Sequence, residues 1–257
     1  MTIIWTRSAD HWPQDCNLLE GTEYQRLPCL SYRDFTQQEL MSQLQGSKFP
    51  KPHSLIGVLT SAHTIKSLNR SPSLLDKCEK WYVVGKKTRD CFNALSLAGK
   101  IADLPQGVKK GADLAQYLCK SYHGKKLTFF LPGAKKRAYK LDEHLQSCGF
   151  EVLSCNTYEV QTGIFDDKGV GVSKQFLDDV FARASQPVIC FASPSAVLGF
   201  TSGLIKHGMS AVFPRCRVVA IGPTTLKACK VFFHRSYEAP DPSVASLVNL
   251  AKTLLIT

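Results

Sequence analysis

Short apolar runs rich in β-branched residues recur along the chain, each closed by a glycine, serine or threonine and followed by an amphipathic stretch. The clearest is Arg217-Val-Val-Ala-Ile-Gly-Pro-Thr-Thr225. Its run Val218 to Ile221 suits a buried parallel strand. Pro223 fits the first position of a helix, and Thr224 and Thr225 can cap it, so the segment reads strand, tight turn, helix N-terminus. Trp81-Tyr-Val-Val-Gly-Lys-Lys-Thr-Arg89 repeats the device, with Gly85 and Thr88 in the places of Gly222 and Thr225. Upstream of each lies another matching pair, Leu55 to Ala62 and Val188 to Ser195, both with a serine just after a strand. Downstream come two small-residue helix starts, Gly111 to Leu114 and Ser243 to Leu247. An ordered series that occurs twice implies two similar domains.

Taken in order, the chain opens with a strand at Thr2–Thr6 that ends at Arg7. A poorly patterned helical segment precedes a second strand at Tyr24–Pro28. Leu30 to Phe35 is extended with little core character, Gln37 to Leu44 is an amphipathic helix, and Gly46 to His53 is a loop. The middle block predicts strands near 55–60, 80–84, 101–104, 127–131 and 151–155, with helices between them, as in a parallel sheet with right-handed crossovers. Asn156 to Thr162 is again extended. The last block adds strands near 187–191, 217–221 and 234–238 and a final helix from about Ser243. Two opening strands and three closing strands balance the five in the middle. The expected architecture is α/β: residues 1–34 plus 163–257 form one doubly wound parallel-sheet domain, and 35–162 form a second, inserted one. The linkers near 30–35 and 156–162 pair as a two-stranded ladder.

Composition changes this picture little. The 257 residues hold no apolar run long enough to span a bilayer and no basic-then-apolar leader, which predicts a soluble, cytoplasmic protein with no membrane partner. Ten cysteines without a C-x-x-C pair predict reduced, structural thiols, and the histidines lack ligand spacing, so no metal is expected. Charge is more informative. The chain carries a net charge of +11, and residues 36–162 hold 19 Lys and Arg against 10 Asp and Glu, a net of +9. A lopsided basic lobe favours a polyanionic partner. Since no RNP motif or basic heptad is present, a small polyanion fits better than nucleic acid.

In doubly wound sheets, ligands bind outside the carboxyl ends of the strands. If both domains turn that edge inward, Ser61, Thr88, Ser193, Ser195, Thr225 and Arg7 line the cleft between them, where the active site is expected. Such a cleft offers N–H and hydroxyl donors and almost no carboxylates. The chain has no Ser/His/Asp constellation, no P-loop and no paired acids. An enzyme of this kind works by shaping a substrate that brings its own reactivity.

These residues carry a resemblance to the uroporphyrinogen-III synthase family. Trp5-Thr-Arg-Ser8 is similar to the family's V-T-R-P, Leu59-Thr-Ser-Ala-His63 to F-T-S-A-N, Val84-Gly-Lys-Lys-Thr88 to V-G-x-x-T and Leu131-Pro-Gly133 to L-R-G. Thr157-Tyr-Glu159 resembles V-Y-E, Phe191-Ala-Ser-Pro-Ser-Ala-Val197 resembles F-T-S-P-S-A-V, and Ala220-Ile-Gly-Pro-Thr-Thr225 resembles A-I-G-P-T-T. Pro132 and His63 depart from the pattern, so contacts by those side chains do not carry over. The resemblance implies a monomer without cofactor that closes hydroxymethylbilane, a linear tetrapyrrole polycarboxylate, to uroporphyrinogen III with inversion of the last ring. It also implies contacts through backbone N–H groups at the turns, which adds Ala62, Gly85, Gly133 and Thr224 to the substrate-binding set. Tyr158 matches the tyrosine of V-Y-E. A phenol stays protonated at neutral pH and can donate to the leaving hydroxyl, which makes Tyr158 the expected general acid. A non-catalytic clamp for a polyanionic metabolite stands as the alternative.

Overall fold

The apolar runs form two largely parallel sheets, each covered on both faces. The computed structural model describes residues 2–7, 23–46, 54–95, 97–137 and 139–256. The chain divides into two compact units, Met1–Tyr32 with Gln161–Thr257, and Arg33–Val160. Elements are numbered in chain order. The first unit holds β1 (Thr2–Trp5), β2 (Glu23–Arg26), β8 (Val188–Phe191), β9 (Arg217–Ala220) and β10 (Arg235–Glu238). Its strands lie in the order β10-β9-β8-β1-β2, and every pairing is parallel. The second sheet holds β3 (Leu30–Asp34), β4 (Leu55–Leu59), β5 (Lys80–Val83), β6 (Thr128–Ala134) and β7 (Glu151–Thr162) in the order β3-β7-β6-β4-β5, with β3 and β7 each running past the bounds of the second unit. The β7-β6, β6-β4 and β4-β5 pairs are parallel.

Alternation along the strands feeds two cores in each unit, as a sheet buried on both faces requires. In the first, Ile4, Ile189, Phe191 and Val218 pack under α7 (Lys174–Arg183) and α8 (Pro194–Lys206), while Ile3, Trp5 and Val219 pack against α10 (Val244–Ile256). In the second, Leu55, Leu59, Trp81 and Phe130 face α1 (Gln37–Leu44), α2 (Ala62–Leu68), α3 (Pro72–Asp76) and α4 (Lys86–Asn93). On the other face, Ile56, Val58, Tyr82 and Phe129 meet α5 (Gly111–Ser121) and α6 (Leu141–Ser147). Gly57 is fixed by this packing. A Cβ there would lie 2.2 Å from the indole of Trp81, its register partner on β5. No helix among the described residues is long and apolar enough to cross a membrane.

Three differences from the sequence reading have physical causes. Residues 101–104 form no strand. Only Ile101 bridges Trp81, and the Ala102 N–H donates to the Trp81 carbonyl, before Pro105, which has no N–H, ends the pairing. The fifth place in the second sheet goes instead to β3, beside β7, so the pairing expected of segments 30–35 and 156–162 is present but as the edge of that sheet. The repeated segments also occupy inequivalent places. β4 is the inner strand that β1 is in its own sheet, whereas the sequence repeat aligns β4 with β8. What recurs is the local strand-to-helix turn. Finally, Cys119 of α5 and Cys148, the cap of α6, form a disulfide with Cα atoms 6.0 Å apart, which corrects the expectation of reduced thiols throughout. Packing of α5 on α6 brings these residues together from 29 positions apart, with no local motif to announce it. The helical segment expected between Arg7 and Tyr24 and nearly all of the loop Gly46–His53 lie outside the described residues.

Candidate active site

Each sheet has one point where the chain leaves an inner strand, adds a neighbour on one side and returns to the other side. In the second sheet this switch falls between β4 and β6, where a crevice opens above the carboxyl ends. A cavity of about 390 Å³ occupies it, lined by the end of β4 and start of α2, by Leu131 to Ala134 of β6, and by Tyr158 of β7. Ser61 is the N-cap of α2. Its Oγ accepts the His63 N–H at 3.2 Å and lies 3.0 Å from the Tyr158 hydroxyl. Tyr158 is 6 % exposed, so its phenol looks into the cavity and not into bulk water.

A polar network stands behind the phenol. The His63 ring meets the Tyr158 ring edge-on at 4.6 Å, and His63 Nε2 lies 2.8 Å from Asp34 Oδ1. Asp34 also accepts from Ser67 Oγ at 2.6 Å and pairs with Arg70 at 3.1 Å. The imidazole is therefore held from one side by a carboxylate while its other side abuts the tyrosine. On the opposite wall, Arg137 donates to the Leu131 carbonyl at 2.8 Å and lies 3.5 Å from Asp142. Burial pulls its pKa below the usual guanidinium value, against the pull of Asp142, Cys155 and Tyr158. Thr64, 1 % exposed, lines the cavity with an Oγ1 that has no hydrogen-bond partner among the described residues. A buried hydroxyl left unpaired costs free energy that a bound acceptor or donor would recover. Lys136 adds a second cation, and no carboxylate is among the described residues that line the cavity. The arrangement can hold an anion and deliver a proton from a phenol.

Of the residues expected from sequence, the cavity unites Ser61, Gly133 and Tyr158. Ala62 begins α2 beside them without lining it. Gly85 and Thr88 belong to the turn after β5, also outside it. Gly85 takes a φ of 91° as N-cap of α4, and Thr88 is buried. Arg7, Ser193, Ser195, Thr224 and Thr225 belong to the first unit. Arg7 follows β1 and Ser193 follows β8, the two strands flanking that sheet's switch point. Ser193 caps α8, its Oγ accepting the Ala196 N–H at 3.2 Å. Ser195 and Thr224 are exposed and Thr225 is buried in α9 (Pro223–Cys229). Arg137, Thr64 and the His63–Asp34 pair escaped the sequence reading. Only the basic run Lys135-Lys136-Arg137, directly after the strand that ends at Ala134, signals any of them.

The structure resembles uroporphyrinogen-III synthetase of Helicobacter pylori, with a TM-score of 0.57 and 14% identity over 98% of this chain and 99% of that one. A mutant uroporphyrinogen III synthase of Thermus thermophilus aligns over 100% of this chain and 99% of its own with a TM-score of 0.48 and 14% identity. No curated protein sequence matches the chain. At 14% identity the likeness to the Helicobacter pylori structure speaks for the fold alone. The sequence itself fits the family model for uroporphyrinogen-III synthase HemD over residues 20–249. With nearly its whole length matched, the chain belongs to the uroporphyrinogen-III synthase (HemD) family, the cyclising lyases that close hydroxymethylbilane in haem biosynthesis.

Proposed function

We propose that the cavity between β4 and β6 is where this chain grips part of hydroxymethylbilane, and that Tyr158 protonates the departing hydroxyl. The observation that carries this reading is the lining, which among the described residues offers two cations, several hydroxyls including the unpaired one of Thr64, a buried phenol, and no carboxylate. The substrate bears an acetate and a propionate on each pyrrole, and Arg137 and Lys136 suit such groups. At about 390 Å³ the cavity is near the small end of ligand sites, which run roughly 300–1,000 Å³, so it takes a portion of the tetrapyrrole.

The chemistry asks little more of the protein. Electron density from the pyrrole nitrogen expels the hydroxyl, the Tyr158 proton converts it to water, and an azafulvenium cation remains opposite the phenolate. The substituted carbon of the last ring then attacks, and the resulting spiro intermediate opens and recloses inverted. The phenolate left on Tyr158 recovers a proton when the macrocycle loses one, so the step balances. Holding the chain folded so that this carbon is the one presented is the larger contribution. The Ser61 hydroxyl at 3.0 Å and the His63 edge position the phenol. One unit of a single chain supplies all these groups, which supports action as a monomer on a small molecule.

Incubating purified protein with freshly prepared hydroxymethylbilane and separating the oxidised porphyrin isomers tests the reading. Enzymatic closure gives the type III isomer, and spontaneous closure gives mainly type I. Binding without any type III product would overturn it in favour of a non-catalytic clamp.

A further inference from the structure

The ends of α5 and α6 away from the cavity bring three soft donors together. Cys119, His144 and Cys148 each offer one ligand atom, and these atoms lie within 4.8 Å of one another. His144 and Cys148 are one helical turn apart, the Cys148 N–H donating to the His144 carbonyl at 3.2 Å, so their side chains leave the same face. Cys119 meets them from α5, and the packing of the two helices sets the distance. The imidazole is also oriented. Tyr139 Oη lies 2.8 Å from His144 Nδ1, the kind of outer partner that fixes the ring and tautomer of metal-binding histidines.

We propose that, when its disulfide is reduced, the Cys119–His144–Cys148 cluster binds a thiophilic divalent cation of the zinc type. Two thiolates and an imidazole are the donors zinc prefers, and hard cations such as magnesium or calcium select oxygen instead. Tetrahedral geometry with Zn–S near 2.3 Å and Zn–N near 2.0 Å puts ligand atoms roughly 3.5–3.8 Å apart, inside the observed spread. Three protein ligands leave the fourth position to water. The half-buried setting of Cys119 and His144, with Cys148 exposed, lets the ion enter without opening the core.

Metal and disulfide exclude each other. A dithiol reductant passes two electrons and two protons to the S–S bond and itself becomes a cyclic disulfide. The cation then displaces one proton from each thiol and binds both thiolates. Either way, the same sulfurs clasp α5 to α6. Both helices start at the active-site cavity, lined by Gly111 and Leu141, and Tyr139 lines the cavity while holding His144. The clasp thus reaches the cavity wall through one side chain.

Cobalt(II) is the probe. Wild-type protein reduced with excess dithiol, then freed of it under argon, should take up one equivalent of Co²⁺, with a strong thiolate-to-cobalt charge-transfer band that Zn²⁺ abolishes. Protein left in the disulfide form should show no such band. The Cys119→Ser/Cys148→Ser double variant keeps the other eight of the ten cysteines and should also lack it. His144→Ala should weaken uptake at least about tenfold, the lower bound for losing a group that shapes a metal site. The proposal fails if the reduced wild type takes up no cobalt, or if the double variant or the disulfide form gives the same band.

Discussion

Replacing Tyr158 by Phe keeps a buried ring against His63 and removes one proton and one oxygen. The structural loss is small. The hydroxyl's contact with Ser61 Oγ at 3.0 Å is a neutral hydrogen bond, worth about 0.5–1.5 kcal/mol net. For a chain of this length that lowers Tm by only a few degrees, at roughly 2–4 °C per kcal/mol. The catalytic loss should be larger. General acid catalysis typically contributes 10²- to 10⁴-fold, and because the pyrrole already activates this leaving group, the low end applies, so kcat for type III product should fall roughly 10- to 100-fold. Ser61→Ala is the matched control. It breaks the same hydrogen bond from the other side and removes the α2 cap, costing around 1 kcal/mol of stability, but it spares the phenol. Its kcat should stay within a few fold of wild type. Initial rates of type III formation, corrected for spontaneous closure and paired with thermal melts, give both numbers. A folded Tyr158→Phe protein with wild-type kcat, or equal losses in both variants, would refute proton donation by Tyr158.

Arg137→Met keeps much of the side-chain stem and deletes the charge. Since hydrogen bonds to charged groups are worth about 1.5–3 kcal/mol, KM for hydroxymethylbilane should rise by one to two orders of magnitude while kcat changes little, and an unchanged KM would remove Arg137 from the site. If the net +9 of residues 36–162 steers the polyanion, kcat/KM should drop as salt rises toward physiological strength, where screening acts over about 8 Å, with kcat nearly flat. A salt-independent kcat/KM would leave that charge a solvated surface. Gly57→Ala drives a Cβ to 2.2 Å from the Trp81 ring, and such overpacking typically costs about 1–3 kcal/mol, so Tm should fall by several degrees in a melt, and an unchanged Tm would contradict the packing.

The inner strands were legible because burial on both faces demands continuous apolar runs, and Val188–Phe191 and Leu55–Leu59 are such runs. Edges were harder. β3 is only partly buried, so Leu30–Asp34 reads as a connector, while Ile101 looks like a strand until Pro105 is weighed. In the site, Ser61, Gly133 and Tyr158 sit at turns or motif positions that a linear reading can mark. Asp34 reaching His63 across 29 residues, or Arg137 folding back on Leu131, depends on tertiary packing. The cysteine pair belongs with these, since helix neighbours carry no spacing rule between separate helices.

The edge position of β3 bears on how this protein can be cut. A fragment begun at residue 35, the natural choice from the sequence, would strip the second sheet of its outer strand and bare the flank of β7, a twelve-residue strand. Unpaired edges recruit strands from other molecules, so that fragment should aggregate, while one begun near residue 29 carries its own edge and should stay monomeric in size-exclusion chromatography. Modularity here is a property of hydrogen-bonding partners more than of chain order: residues that look like a tether are the hem that keeps the inserted unit from fraying.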